Sequence, residues 1–500
     1  MIPPPRLKVL EIKVFEQPFR LRMPFRFGVI TVTEGLQAFA RVRVRLEDGR
    51  EGTGFAAEAV SAKWFDKNPT LTDKQNVEQL RMAVEIATAA YLAAPLMTTF
   101  DLFAEHYRPQ LDAGAALDLP PLVASYGPAL LDRAVLDAVC RILGISFWTA
   151  MRANVPGMHG HAAAPDLLDL DFDAFLSALN PAQTLEARHT VGLVDPIVSS
   201  DQPGDTRVED GLPETLEEVV AIYGQHYFKL KVSGKIDADL ERLSRIASVL
   251  DQIREPIHVT LDGNEQYEDI DAVTALWSAM ESAPSLRRLC ASTLFVEQPL
   301  MRKVALARSV RSLARSKPVI IDESDGDLDA FPLARSLGYS GVSSKDCKGF
   351  YKSLINLARC RRWNGRAGEA GGYFMSGEDL TTQAGISVQQ DLALVSLLGL
   401  THVERNGHHF IDGFAGRPVT EAMNFLHVHP DLYRNDAGRV RLHIENGLLR
   451  IGSLECAGFG SSVTPDLSTT PAMPKAAWPP SASASQLGAL APGGTRRNAV

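Results

Sequence analysis

Five strand-like segments of this chain each end in a lysine or a carboxylate: Phe228-Lys229-Leu230-Lys231, Val259-Thr260-Leu261-Asp262, Leu294-Phe295-Val296-Glu297, Val319-Ile320-Ile321-Asp322 and Gly341-Val342-Ser343-Ser344-Lys345. Counted from Lys231, the closing residues follow at intervals of 31, 35, 25 and 23, with helical patterns between them. Strand and helix alternating at this spacing build consecutive βα units on a parallel sheet. In a parallel barrel the C-terminal ends of all strands meet on one face, so charges repeatedly placed there surround one cavity. Such a pattern implies an enzyme.

The totals narrow the class further. Five hundred residues, 45% hydrophobic and 22% charged, suffice for a large core and fit two domains plus a tail. A formal net charge of -9 argues against a nucleic-acid partner, which requires a concentrated basic face. The cluster Arg359, Arg361, Arg362 and Arg366 reads as a solvated helix end. Five cysteines without a C-x-x-C pair suit a reducing compartment. No apolar run approaches the roughly 18 residues of a membrane span, and the first residues lack a signal-like core. A soluble, cytoplasmic chain without a membrane partner is expected.

Residues 6–58 alternate as strands, and residues 72–151 change to a helical period, so residues 1–151 form an α+β unit of their own. Residues 152–183, rich in Gly, His, Ala, Pro and Asp, read as a linker or insertion. A first barrel strand begins near Thr184, and Gly372–Met375 and Thr401–Asn406 bring the count to eight within a barrel over 184–432. In the segment 433–462, residues 439–451 have a hairpin pattern around Asn446-Gly447. Residues 463–500 are too poor in large apolar groups to fold and are expected to be a disordered tail.

The strand ends carry the chemistry. Asp262, Glu297 and Asp322 close three successive strands, and a hard divalent cation such as Mg²⁺ takes such oxygen ligands while keeping positions open for substrate. The other reading makes each acid the N-cap of the following helix. Lys229 and Lys231 share one side of their strand. With Phe228, Leu230 and Val232 facing helices, both ammonium groups point inward, where burial requires negative charge or loss of the proton. An edge strand with a solvated lysine face is the alternative. Lys345 closes the sixth strand, across the ring from the second. Two lysines on opposite sides of a metal-bound substrate are placed to exchange a proton on the two faces of one carbon. Metal and neighbours would stabilise the enediolate formed when the proton α to a carboxylate leaves. Glu404 and Asn406 line the pocket or cap their strand, and His408 and His409 bind substrate or occupy a loop. Arg20, Arg22 and Arg26 reach substrate or form a solvated strand face.

The segments Lys-Leu-Lys, Leu-Asp-Gly-Asn, Val-Glu-Gln-Pro, Ile-Asp-Glu-Ser and Ser-Ser-Lys, in this order, resemble those of the enolase superfamily, in its mandelate racemase and muconate lactonizing enzyme branch. The resemblance covers about residues 6–460 and includes Ala457-Gly458-Phe459-Gly460, similar to that family's closing Pro-Gly-Leu-Gly. It implies an α/β fold, a modified TIM-type (β/α) barrel with an N-terminal α+β capping domain to which 433–462 returns. It also implies Mg²⁺ on Asp262, Glu297 and Asp322, with Lys231 as acid/base and Lys345 as its partner. Lys229 would tune Lys231 and hold the substrate carboxylate, and Asn264 would support the metal site beside Glu323.

Mandelate-type members pair an Asp on the sixth strand with a His on the seventh. This chain has Lys345 and no His in Gly371–Asp379, so it resembles the lysine-lysine subgroup of cycloisomerases, dipeptide epimerases and succinylbenzoate synthases. The Asp-x-Asp of dipeptide epimerases is absent from Val403–His409, and Glu265-Gln266-Tyr267 replaces a more usual Gln-Gly-Trp. The implied activity is proton abstraction α to a carboxylate through an enediolate, giving racemisation, epimerisation or cycloisomerisation. Syn elimination, and a non-catalytic acid-binding protein on the same scaffold, are the alternatives. The expected partners are a small-molecule carboxylic acid and further copies of the chain in a homo-oligomer.

Overall fold

The computed structural model describes residues 4–28, 30–202, 204–367, 372–414 and 416–479. It opens with a three-stranded antiparallel sheet of β1 (Leu7–Phe27), β2 (Ile30–Leu46) and β3 (Glu51–Ala59), in that order. Val42, Val44 and Leu46 are buried while Arg43 and Arg45 face solvent, the alternation of a sheet covered on one side. Helices Asp73–Ala93 and Tyr126–Leu143 share a hydrophobic core with that covered face. A capping box between Thr72 and Gln75 starts the first helix. Gly54 lets β3 lie against the second: a Cβ there would sit 2.1 Å from the Ala134 carbonyl oxygen.

Eight parallel strands follow in ring order: β4 (Thr184–Val191), β5 (Tyr227–Lys231), β6 (His258–Asp262), β7 (Thr293–Glu297), β8 (Val319–Ile321), β9 (Gly341–Ser344), β10 (Phe374–Gly377) and β11 (His402–Glu404). Pairing of β11 with β4 closes the barrel, the fold that the spacing of the charged strand ends predicts. Phe228, Leu230, Val259, Leu261 and Val342 face outward into one core with the surrounding helices, which leaves the alternate positions to the interior. Within residues 152–183, helix Phe172–Ser177 buries Phe172, Phe175 and Leu176 in the same core.

Two expectations need correction. Asn446 and Gly447 turn the chain with positive φ (51° and 76°), and Glu445 and Leu448 exchange both backbone hydrogen bonds across the turn at 3.1 and 3.0 Å, but the pairing stops at that one bridge instead of running along residues 439–451. Arg439–Leu442 (β13) pairs with Tyr433–Asp436 (β12), and Leu448–Arg450 (β14) runs antiparallel to residues 184–186 of β4. The cause is a vacant edge: β5 pairs with β4 only from Arg188 onward. The boundary of the tail also shifts, because residues 463–479 form an extended strap across the capping domain. The Glu16 amide donates to the Pro471 carbonyl at 3.0 Å and the Met473 amide to that of Val14 at 2.8 Å. Trp478 is buried, and its indole donates to the Leu117 carbonyl at 2.8 Å. The rest of the expected tail lies outside the described residues. Among the described residues, no helix is long and apolar enough to cross a membrane.

Candidate active site

Alternation along β5 sends Phe228 and Leu230 to the helices, and Lys229 and Lys231 inward. The strand register then sets Lys231, Asp262 and Glu297 side by side on β5, β6 and β7. The Lys229 ammonium lies 3.0 Å from Asp262 Oδ2, 2.8 Å from Glu297 Oε2, 2.8 Å from Glu378 Oε2 and 3.0 Å from Glu404 Oε2. Lys231 Nζ contacts the same Asp262 Oδ2 at 2.5 Å. Lys345 Nζ is 2.8 Å from Asp322 Oδ2, and its ammonium lies 4.2 Å from the ring centroid of Trp64, a residue of the capping domain.

These groups form the floor of a cavity of about 340 Å³ between the barrel mouth and the capping domain. Lys229, Lys231, Asp262, Asn264, Asp322, Lys345, Glu404 and Asn406 all line it. Glu297 is fully buried outside the lining, in contact with Lys229. Glu404 accepts from Thr190 Oγ1 at 2.5 Å and from Asn406 Nδ2 at 2.8 Å. The buried Asn264 Oδ1 and Asn406 Oδ1 have no protein hydrogen-bond partner.

Charge density governs the electrostatics. Burial alone would lower the Lys229 ammonium, but Asp262, Glu297, Glu378 and Glu404 together raise it well above the ordinary range. Burial works against the Asp322 carboxylate, yet Lys345 and Lys348 hold it well below its ordinary range. Glu297 moves the other way, raised by burial and by the negative fields of Asp262 and Glu378. The backbone is strained here too. Asn264, Glu265 and Gln298, just past β6 and β7, adopt positive φ of 39°, 68° and 32°, a conformation that costs of order 1–3 kcal/mol for a non-glycine residue and that clusters at functional sites. Between them, a Cβ on Gly263 would lie 2.6 Å from Pro299 Cα.

Three buried residues in this network escape the sequence reading. Glu378, just past β10, binds Lys229 and also pairs with Arg188 of β4. Lys348 reaches Asp322 Oδ1 at 3.5 Å and Asp325 at 3.1 Å. Glu378 follows the same rule of a charge at a strand end, and Arg188 stands at an inward position of β4, so both carried a signal. Lys348 sits in a short turn where no periodicity marks direction. His408 and His409 do not line the cavity; their rings pack 5.1 Å from Tyr223 and 4.9 Å from His189. Arg20, Arg22 and Arg26 are also absent from the lining, and Arg22 instead pairs with Asp210 at 2.6 Å.

The residues suit a hard cation in kind. Asp262, Glu297 and Asp322 offer only oxygen, and Glu323 Oε2 beside them is buried without a hydrogen-bond partner. Among the described residues no three His, Cys, Asp or Glu side chains are arranged to hold a metal ion. Asp262 and Glu297 turn instead to Lys229, and Asp322 to Lys345.

No protein-family model and no curated protein matches the chain. Solved structures do. A dipeptide epimerase from Enterococcus faecalis, complexed with Mg and the dipeptide L-Leu-L-Tyr, is 16% identical with a TM-score of 0.56, over 91% of this chain and 99% of that one. A muconate lactonizing enzyme from Pseudomonas fluorescens, complexed with muconolactone, is 16% identical with a TM-score of 0.55, over 91% and 97%. A 2-chloromuconate cycloisomerase from Rhodococcus opacus is 16% identical with a TM-score of 0.57, over 93% and 99%. What the chain shares with these three enzymes is the fold, a parallel eight-stranded barrel whose mouth is covered by an N-terminal α+β domain.

Proposed function

We propose that this chain is an isomerase or lyase of the enolase superfamily, in the lysine-lysine subgroup, which removes the proton α to the carboxylate of a small-molecule acid. One observation carries the reading: Lys231 and Lys345 enter the same cavity from the ends of different strands, each ion-paired with a carboxylate. A base on one face of a carbon and an acid on the other perform the two halves of a racemisation or epimerisation, each contributing on the order of 10²- to 10⁴-fold. Lys229 supplies fixed positive charge at the floor and holds Glu378 and Glu404 in place. Asn264 and Asn406 present unpartnered acceptors to substrate from β6 and β11. Mg²⁺ held by Asp262, Glu297 and Asp322 would supply neutralisation of the charge that develops on the substrate carboxylate. The capping domain excludes water, which strengthens every charge interaction inside.

Incubation with a panel of carboxylic acids and Mg²⁺ in D₂O tests the chemistry, with deuterium expected at the α-carbon of at least one acid. Lys231→Ala and Lys345→Ala should each lower exchange by at least 10²-fold, and Lys345→Ala should affect one stereoisomer more than the other. Absence of exchange with every acid, or equal losses for both stereoisomers in both variants, would count against the proposal.

A further inference from the structure

We infer that the acid taken by this site carries a bulky apolar body and no ammonium group. The inference rests on the reading above only for where the carboxylate end sits. The floor of the cavity is ionic, whereas much of its ceiling and wall is apolar, with Glu34, Lys63, Asp73 and Asp379 the charged exceptions. Phe19, Phe25, Phe27 and Val32 of the β1–β2 ribbon, with Trp64 and Leu380, enclose the space above Lys231 and Lys345. The ribbon is anchored. Phe25 packs 4.6 Å from the ring of Phe410, and Arg22 donates to the His409 carbonyl at 2.8 Å. Trp64, which touches the Lys345 ammonium, marks where the charged floor meets the apolar wall.

Among the described residues, a substrate ammonium would find no buried carboxylate in this wall that lacks a partner. Asp379 lines the cavity, but its oxygens already accept from Arg405 at 2.9 Å and from the amides of Leu380, Thr382 and Asn406 at 2.9, 3.0 and 2.8 Å. Asp262, Asp322 and Glu404 are each bound to lysine. Glu34 and Asp73 stand at the outer rim with side chains 72% and 89% exposed, paired with Arg20 and Lys63. A buried ammonium left without a partner loses its hydration and gains nothing in return, whereas an apolar group gains by leaving water. A cavity of this size buries most of a small molecule's surface, so much of its body lies against the apolar wall.

The matched probes 3-phenylpropionyl-leucine and phenylalanyl-leucine share a skeleton and differ by one ammonium. Calorimetric titration of the full chain with each, in the presence of Mg²⁺, should show at least tenfold tighter binding of the first. Val32 is half-buried on the ribbon, so Val32→Asp should narrow or reverse that preference while Val32→Asn, its uncharged control, should not restore phenylalanyl-leucine. Equal affinities, preference for phenylalanyl-leucine in the unaltered chain, or failure to bind 3-phenylpropionyl-leucine would overturn the inference. Deuterium exchange, read separately, distinguishes the underlying chemistry. Binding of the apolar acid without exchange would sink the proton abstraction and leave the preference standing.

Discussion

Four carboxylates share the single ammonium of Lys229, so no member of that group is replaceable in isolation. Glu378 is the most exposed to this logic, because its two oxygens serve Lys229 on one side and Arg188 on the other. Without Glu378, Lys229 keeps three carboxylates but the buried Arg188 loses its own, and a buried charge left unmatched costs roughly 3–5 kcal/mol. Glu378→Gln should therefore lower the free energy of unfolding by about 3 kcal/mol, measured by urea denaturation, and a loss below about 1 kcal/mol would contradict the assignment. Lysines and acids at strand ends were legible because alternation dictates which side chains point inward. The pairing among them was not. Which carboxylate an ammonium contacts depends on distances across the ring, which strand order does not give.

Among the elements, the packing of helix Asp73–Ala93 on helix Tyr126–Leu143 holds a titratable contact. The Tyr91 hydroxyl donates to Asp132 Oδ1 at 2.6 Å, and burial pushes the Asp132 carboxyl from its ordinary 3.8 up to about 8. Between those values the folded state keeps a proton that the unfolded chain has released. Stability should therefore fall as pH rises through this window, by at most about 1.4 kcal/mol per pH unit from this group. Asp132→Asn keeps the acceptor for Tyr91 and removes the titration, so its melting temperature relative to the unaltered chain should rise steadily between pH 4 and pH 8. A constant difference would refute the linkage. All eight barrel strands were readable from apolar alternation and spacing. The tight turn at Asn446-Gly447 was readable too, but its extent was not, since beyond the Glu445–Leu448 bridge the partners of Arg439–Leu442 and Leu448–Arg450 are chosen by vacant edges elsewhere.

At the scale of the whole molecule, the strap of residues 463–479 has almost no core of its own and borrows one from the capping domain. Composition therefore misjudged it. Its anchor, Trp478, is 7% exposed, and truncating a buried aromatic costs about 3–5 kcal/mol. Trp478→Ala should destabilise the capping domain by about 3 kcal/mol while sparing the barrel, visible as a separate early transition in calorimetry. A single unshifted transition would show that the strap contributes little. The strap also occupies the outer side of β1, which has β2 as a neighbour on its other side alone. A protease that clipped it would bare the Glu16 amide and the Val14 carbonyl on the edge of β1. Copies so treated would present an unguarded strand edge to one another, and loss of solubility, rather than loss of shape, would be the first sign of damage.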